Sequence, residues 1–110
     1  METLHGNIKL VDDDSSNRID DLQIEYNRRL CIEKVIKNAD GAVAFDLSDI
    51  GAMVALYIHT TGHITIDAGT NIELQNDFML LNAAFVETFT ITNPETADVT
   101  VSIRAYGTVA

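Results

Sequence analysis

The chain is predicted to be all-β: a single antiparallel β-sandwich, jelly-roll-like, with an N-terminal arm. Three observations carry that expectation. Short apolar runs of strand length recur from residue 52 onward, each closed by Gly, Asn or Pro. Within several of them polar and apolar side chains alternate, the period of a half-buried strand. Val, Ile and Thr, which suit a pleated surface, are abundant throughout. At 110 residues there is room for one core, and 46% hydrophobic against 22% charged residues suffice to build it.

Taken in order, Gly6 to Val11 alternates and leads into the polar run Asp12-Asp13-Asp14-Ser15-Ser16-Asn17. Such side chains bond to their own backbone and favour a loop. Residues 1–21 are therefore read as an N-terminal arm and acidic loop, and residues 22–110 as the sandwich domain. From Ile19 to Lys37 two periods compete. Leu22, Ile24 and Tyr26 alternate, as do Leu30 and Ile32, yet Ile19, Leu22, Tyr26 and Leu30 also follow helical spacing. Ile24, Cys31, Ile32 and Val35 fall off the helical stripe, which favours strand with a break near Asn27 and leaves helix as the alternative.

Asn38-Ala39-Asp40-Gly41 carries a turn signal. Ala52 to His59 is an apolar run closed by Thr60-Thr61-Gly62, and His63 to Asp67 alternates up to Ala68-Gly69-Thr70-Asn71. Ile72 and Leu74 extend the alternation, Asn76-Asp77 marks a further turn, and Phe78 to Leu81 is another short run. Phe85, Phe89 and Ile91 share one face and Val86 lies on the other, until Asn93-Pro94-Glu95 ends the strand, since proline donates nothing to a ladder. Val99, Val101, Ile103 and Ala105 then point one way; Thr100, Ser102, Arg104 and Tyr106 point the other.

Charge narrows the function classes. With 17 acidic and 7 basic residues the net charge is −10, which opposes a sequence-independent hold on nucleic acid or an anionic membrane. No apolar run approaches the roughly 20 residues that span a bilayer, and the N-terminus lacks the pattern of a secretory leader. One cysteine, Cys31, allows neither an internal disulfide nor a cysteine-rich zinc site. Six of the seven basic residues lie between Lys9 and Lys37, whereas Arg104 stands alone in the acidic remainder.

The chemistry-bearing residues read as structural. His59 and His63 flank a turn, where His-x3-His spacing does not bring both rings to one helical face, so surface histidines are expected rather than metal ligands. Asp12, Asp13, Asp14, Asn17, Asp20 and Asp21 lack the glycine and glutamate positions of a calcium-binding loop. No nucleophile elbow accompanies Cys31, and no glycine-rich phosphate cradle is present. No catalytic residue, cofactor or metal is expected, and the chain is read as a non-enzyme.

Two features point to assembly. Ala52 to His59 is apolar on both faces, with Ala52, Val54, Leu56 and Ile58 on one and Met53, Ala55 and Tyr57 on the other. One face fits a core; the other needs cover from the N-terminal segment or from a second subunit. In addition, Arg28, Arg29, Lys34 and Lys37 form a basic cluster on an acidic chain, suited to orienting one copy on the next.

The ending Phe89-Thr-Ile-Thr-Asn-Pro-Glu-Thr-Ala-Asp-Val-Thr-Val-Ser-Ile-Arg-Ala-Tyr-Gly107 resembles the closing hairpin of small β-sandwich virion proteins of tailed bacteriophages. Phe45-Asp-Leu-Ser-Asp-Ile-Gly51, with the apolar strand and glycine turns after it, is similar to the same group, so the resemblance covers about residues 45–107. It implies a non-enzymatic capsid decoration, neck or tail component, made in the host cytoplasm and carried in the virion. Its partners would be other virion proteins and further copies of itself, with neither nucleic acid nor membrane among them. Leu4, Ile8 and Leu10 on the arm, Arg28, Arg29, Lys34 and Lys37 in the basic segment, and Met53 and Tyr57 on the strand are the candidate contacts. The alternative is a ligand- or carbohydrate-binding module of a fibre or receptor-recognition component. It would use Thr60 to His63 together with Asp67 to Asn71, although Trp is absent and aromatic residues are only 6%.

Overall fold

The computed structural model describes residues 1–75, 78–81 and 87–110, with backbone alone at 79–81. Among the described residues ten strands form: β1 (Glu2–Val11), β2 (Ser16–Tyr26), β3 (Arg28–Ile36), β4 (Val43–Asp46), β5 (Ala52–Thr60), β6 (Ile64–Asp67), β7 (Asn71–Leu74), β8 (Phe78–Leu81), β9 (Thr88–Thr92) and β10 (Val99–Thr108). All-β is thus the fold class, and every strand pair is antiparallel. The segment with two competing periods is strand, with its break at Asn27. The turn expected at Asn76-Asp77 and the opposite faces assigned to Phe85 and Val86 lie outside the described residues.

Strands β1 and β2 form a separate hairpin. The other eight form two open sheets, in the orders β3-β10-β5-β8 and β4-β9-β6-β7. From β3 onward each strand crosses to the other sheet, except β6 and β7, which pair as neighbours. Alternation explains the core. Val99, Val101, Ile103 and Ala105 of β10 turn inward with Leu56 and Ile58 of β5, and meet Ile64, Ile66, Phe89 and Ile91 of the second sheet in one buried cluster. Phe45 and Phe89 are cross-strand partners whose rings stack at 5.7 Å.

One buried polar side chain holds the end of this core. Asn93 is fully buried where β9 stops; its amide donates to the carbonyls of Ile36 (3.1 Å) and Ala97 (2.7 Å), while its oxygen accepts from the Glu95 amide at 2.9 Å. The Asn-Pro stop signal is therefore also a link between the β9–β10 loop and the end of β3. At the other end, Asn27 donates to and accepts from the Val109 backbone, each at 2.8 Å, and this ties the β2–β3 junction to the chain's last strand.

Two irregularities change which side chains share a face. In the hairpin Gly6 pairs with Leu22 but Ile8 pairs with Ile19, so β2 carries an extra residue there. Asp21 takes the left-handed conformation at φ 56°, and its amide donates to Asn7 Oδ1 at 3.1 Å. This is a β-bulge. It returns Ile19 to the face of Leu22, and it accounts for the three-residue spacing that imitates a helical turn.

The second irregularity lies in β5, where Ala55 pairs with Tyr106 but Met53 pairs with Gly107, leaving Val54 as the extra residue. Simple alternation places Met53 beside Tyr57. The structure instead packs Met53 against the main core and Val54 against the opposite cluster. Only glycine fits at 107, because a Cβ there would collide with the backbone oxygens of Ile50 and Ala52.

Candidate assembly surface

The β1–β2 hairpin has an apolar stripe. Leu4, Gly6, Ile8 and Leu10 alternate along β1; Tyr26, Ile24 and Leu22 do so along β2, and the bulge adds Ile19. The proximal half of this stripe lies on the outer face of the first sheet. There Tyr26, Ala55 and Tyr106 are buried with Leu4, Ile24 and Val54 packed around them, and the two tyrosine rings meet edge-on at 4.8 Å. Burial, followed by the Glu2 carboxylate to which it donates, holds the Tyr26 hydroxyl above its ordinary pKa. The N-terminal segment therefore supplies cover for the second apolar face of β5.

Among the described residues the distal half has no such cover: on the stripe Leu10 is 69% exposed and Ile19 46%, and Val11, on the hairpin's other face, is exposed too. The radius of gyration, 15.0 Å, exceeds the about 13 Å expected of a compact chain of this length. At the tip the Asp12 carboxylate accepts from the amides of Asp14 (2.8 Å) and Ser15 (2.7 Å), which forms the turn and lowers the Asp12 pKa below its ordinary value. The acidic run is thus the tip of a regular hairpin.

Beside the hairpin, β3 is the edge of the first sheet and pairs with β10 on one side. Leu30 and Ile32 pack inward, whereas Arg28, Arg29, Cys31, Glu33, Lys34 and Val35 are exposed, Val35 by 50%. Register pairs Arg29 with Tyr106, Cys31 with Arg104 and Val35 with Thr100, so these residues share the sheet's outer face. A hydrogen bond to Tyr106, ahead of the charge effects of Tyr106 and Cys31, raises the Arg104 pKa and keeps the guanidinium charged. Leu4, Tyr57, His59, Ser102, Arg104 and Tyr106 line a shallow groove of about 520 Å³ between hairpin and sheet.

The candidate contacts separate accordingly. Leu4 and Tyr57 meet in the groove, Ile8 and Leu10 lie on the distal stripe, Arg28, Arg29 and Lys34 lie on the β3 edge, Lys37 follows it, and Met53 belongs to the main core. Ile19, Val35 and Arg104 belong with the exposed set and were not among the candidates. Arg104 was legible as an outward residue of β10, but its neighbours across β3 were not.

The loops grouped for a ligand site are separated. Thr60 to His63 precede β6 and Asp67 to Asn71 follow it, so they lie at opposite ends of that strand. His63 instead stands between two glutamates, with Nδ1 3.2 Å from Glu95 Oε1 and Nε2 3.7 Å from Glu73 Oε1. No group of three or more His, Cys, Asp or Glu that could hold a metal occurs among the described residues. No family model matches the chain, and no curated protein or solved structure matches it.

Proposed function

We propose that this chain is a structural subunit that works in many copies, a decoration, neck or tail component of a phage virion, with the hairpin as an arm reaching a neighbour. The observation that carries this reading is the distal half of the hairpin stripe, uncovered among the described residues, since Leu10 and Ile19 keep apolar surface in water at the end of an ordered ribbon. The interleaved orders β3-β10-β5-β8 and β4-β9-β6-β7 favour a jelly-roll sandwich, an architecture widely used in viral capsids. Its open edges and acidic surface suit contacts with other proteins better than contacts with nucleic acid.

Sedimentation velocity over a concentration series tests this. Assembly is expected to grow with concentration, and Leu10→Ser with Ile19→Ser is expected to abolish it while the thermal melt of the monomer stays in place. A wild-type chain that remains monomeric alone and beside purified particles contradicts the reading. The groove containing Tyr57, Tyr106 and Arg104 favours a second reading, a ligand- or carbohydrate-binding module, which predicts a thermal shift with acidic sugars that Arg104→Ala removes.

A further inference from the structure

We infer that the distal half of one copy's hairpin docks on the free edge and outer face of β3 in a second copy; this rests on the multi-copy reading above. Three observations meet there. The first is geometric: a chain's own hairpin is seated over β5 and β10, on Val54, Ala55 and Tyr106, and among the described residues no strand lies along the outer edge of β3. With nine residues, β3 is longer than the distal half of either hairpin strand, and among the described residues its outer edge up to Val35 has no strand partner, which makes it a template for another strand.

The second observation is charge. The hairpin carries Glu2, Asp12, Asp13, Asp14, Asp20, Asp21 and Glu25 against Lys9 and Arg18. The receiving strand carries Arg29 against Glu33 on its outer face with Arg104 beside them, and its exposed edge adds Arg28 and Lys34 from the other face, with Lys37 just beyond. Two hairpins packed on each other would bring acidic tips together; a hairpin on β3 brings opposite signs together. The third is apolar surface on both partners, Leu10 and Ile19 on one and Val35 on the other. Such a contact joins two different patches, so two copies can exchange hairpins in a closed dimer, or copies can add head to tail into a ring or a filament.

Charge reversal with mixing tests the assignment. Arg28→Glu with Arg29→Glu alters the edge; Asp13→Lys with Asp14→Lys alters the tip and leaves Asp12, which ties the turn, in place. All four side chains are exposed, so circular dichroism and melting should match the wild type. By sedimentation, each variant alone should need about tenfold more protein or greater to assemble, and an equimolar mixture should recover assembly because opposite charges again face each other. Rising salt should weaken the wild-type assembly. An edge variant that assembles like the wild type, or a mixture that stays as dispersed as its parts, overturns the docking site while leaving self-assembly intact. A wild-type chain that never assembles removes both.

Discussion

The hairpin and the two-sheet body obey the same rule of alternation, but they differ in what covers the apolar face. In the body, side chains from both sheets bury one another, and Leu56, Ile58, Ile66, Ile91 and Ile103 have almost no exposure. In the hairpin the stripe runs past its support on Tyr106 and Ala55 and ends in solvent at Leu10 and Ile19. The difference shows that strand pattern specifies a local element, whereas stability and interaction depend on whether the chain supplies both covers. Substitutions in the body should therefore cost folding, and substitutions in the distal hairpin should cost assembly.

The largest effect is expected from Leu56→Ala, which removes a fully buried side chain and leaves a cavity in the main core. Urea unfolding should show a loss of about 3 kcal/mol or more. Asn93→Ala comes next, at about 2 to 3 kcal/mol, because the carbonyls of Ile36 and Ala97 lose their donor in a buried setting. Tyr26→Ala should cost about 2 to 3 kcal/mol by area and should act at the seam. Its signature is faster hydrogen exchange across β1 and β2, with β5 and β10 core amides little changed. Leu10→Ser sharpens the contrast, since its stability should stay within about 0.5 kcal/mol while assembly falls.

The smallest effect concerns the tip. The depressed Asp12 pKa means that its carboxylate favours the folded turn above the ordinary value of 3.8, and that this contribution disappears as pH falls through the lower folded value. An acid titration followed by NMR should move the Asp14 and Ser15 amide signals below pH 3.8, and Asp12→Asn should remove that transition. A transition centred at or above 3.8 would show that the amides do not hold the carboxylate.

Much of the fold was legible because alternation is a local property. It fixed the inward set of β10, the break at Asn27 and the stop at Asn93-Pro94. What escaped depends on partners. The bulge at Asp21 requires Asn7 across the ladder and shows in its own strand only as the three-residue spacing of Ile19 and Leu22, which fits a helix equally well, while the extra residue Val54 answers to Gly107 more than fifty positions away. For the same reason Met53 moved from the expected outer face to the core. The proposed docking surface was half legible: the basic run of β3 could be read directly, but Arg104 and Val35 joined it only through the pairing of β3 with β10.

The central claim, that the distal hairpin is covered by another copy, is tested most directly by hydrogen exchange of residues 7–20 at several protein concentrations. Protection of these amides should rise with concentration while core amides such as those of Ile103 and Ile91 stay constant. Equal hairpin protection at every concentration, in samples that do assemble, would contradict it.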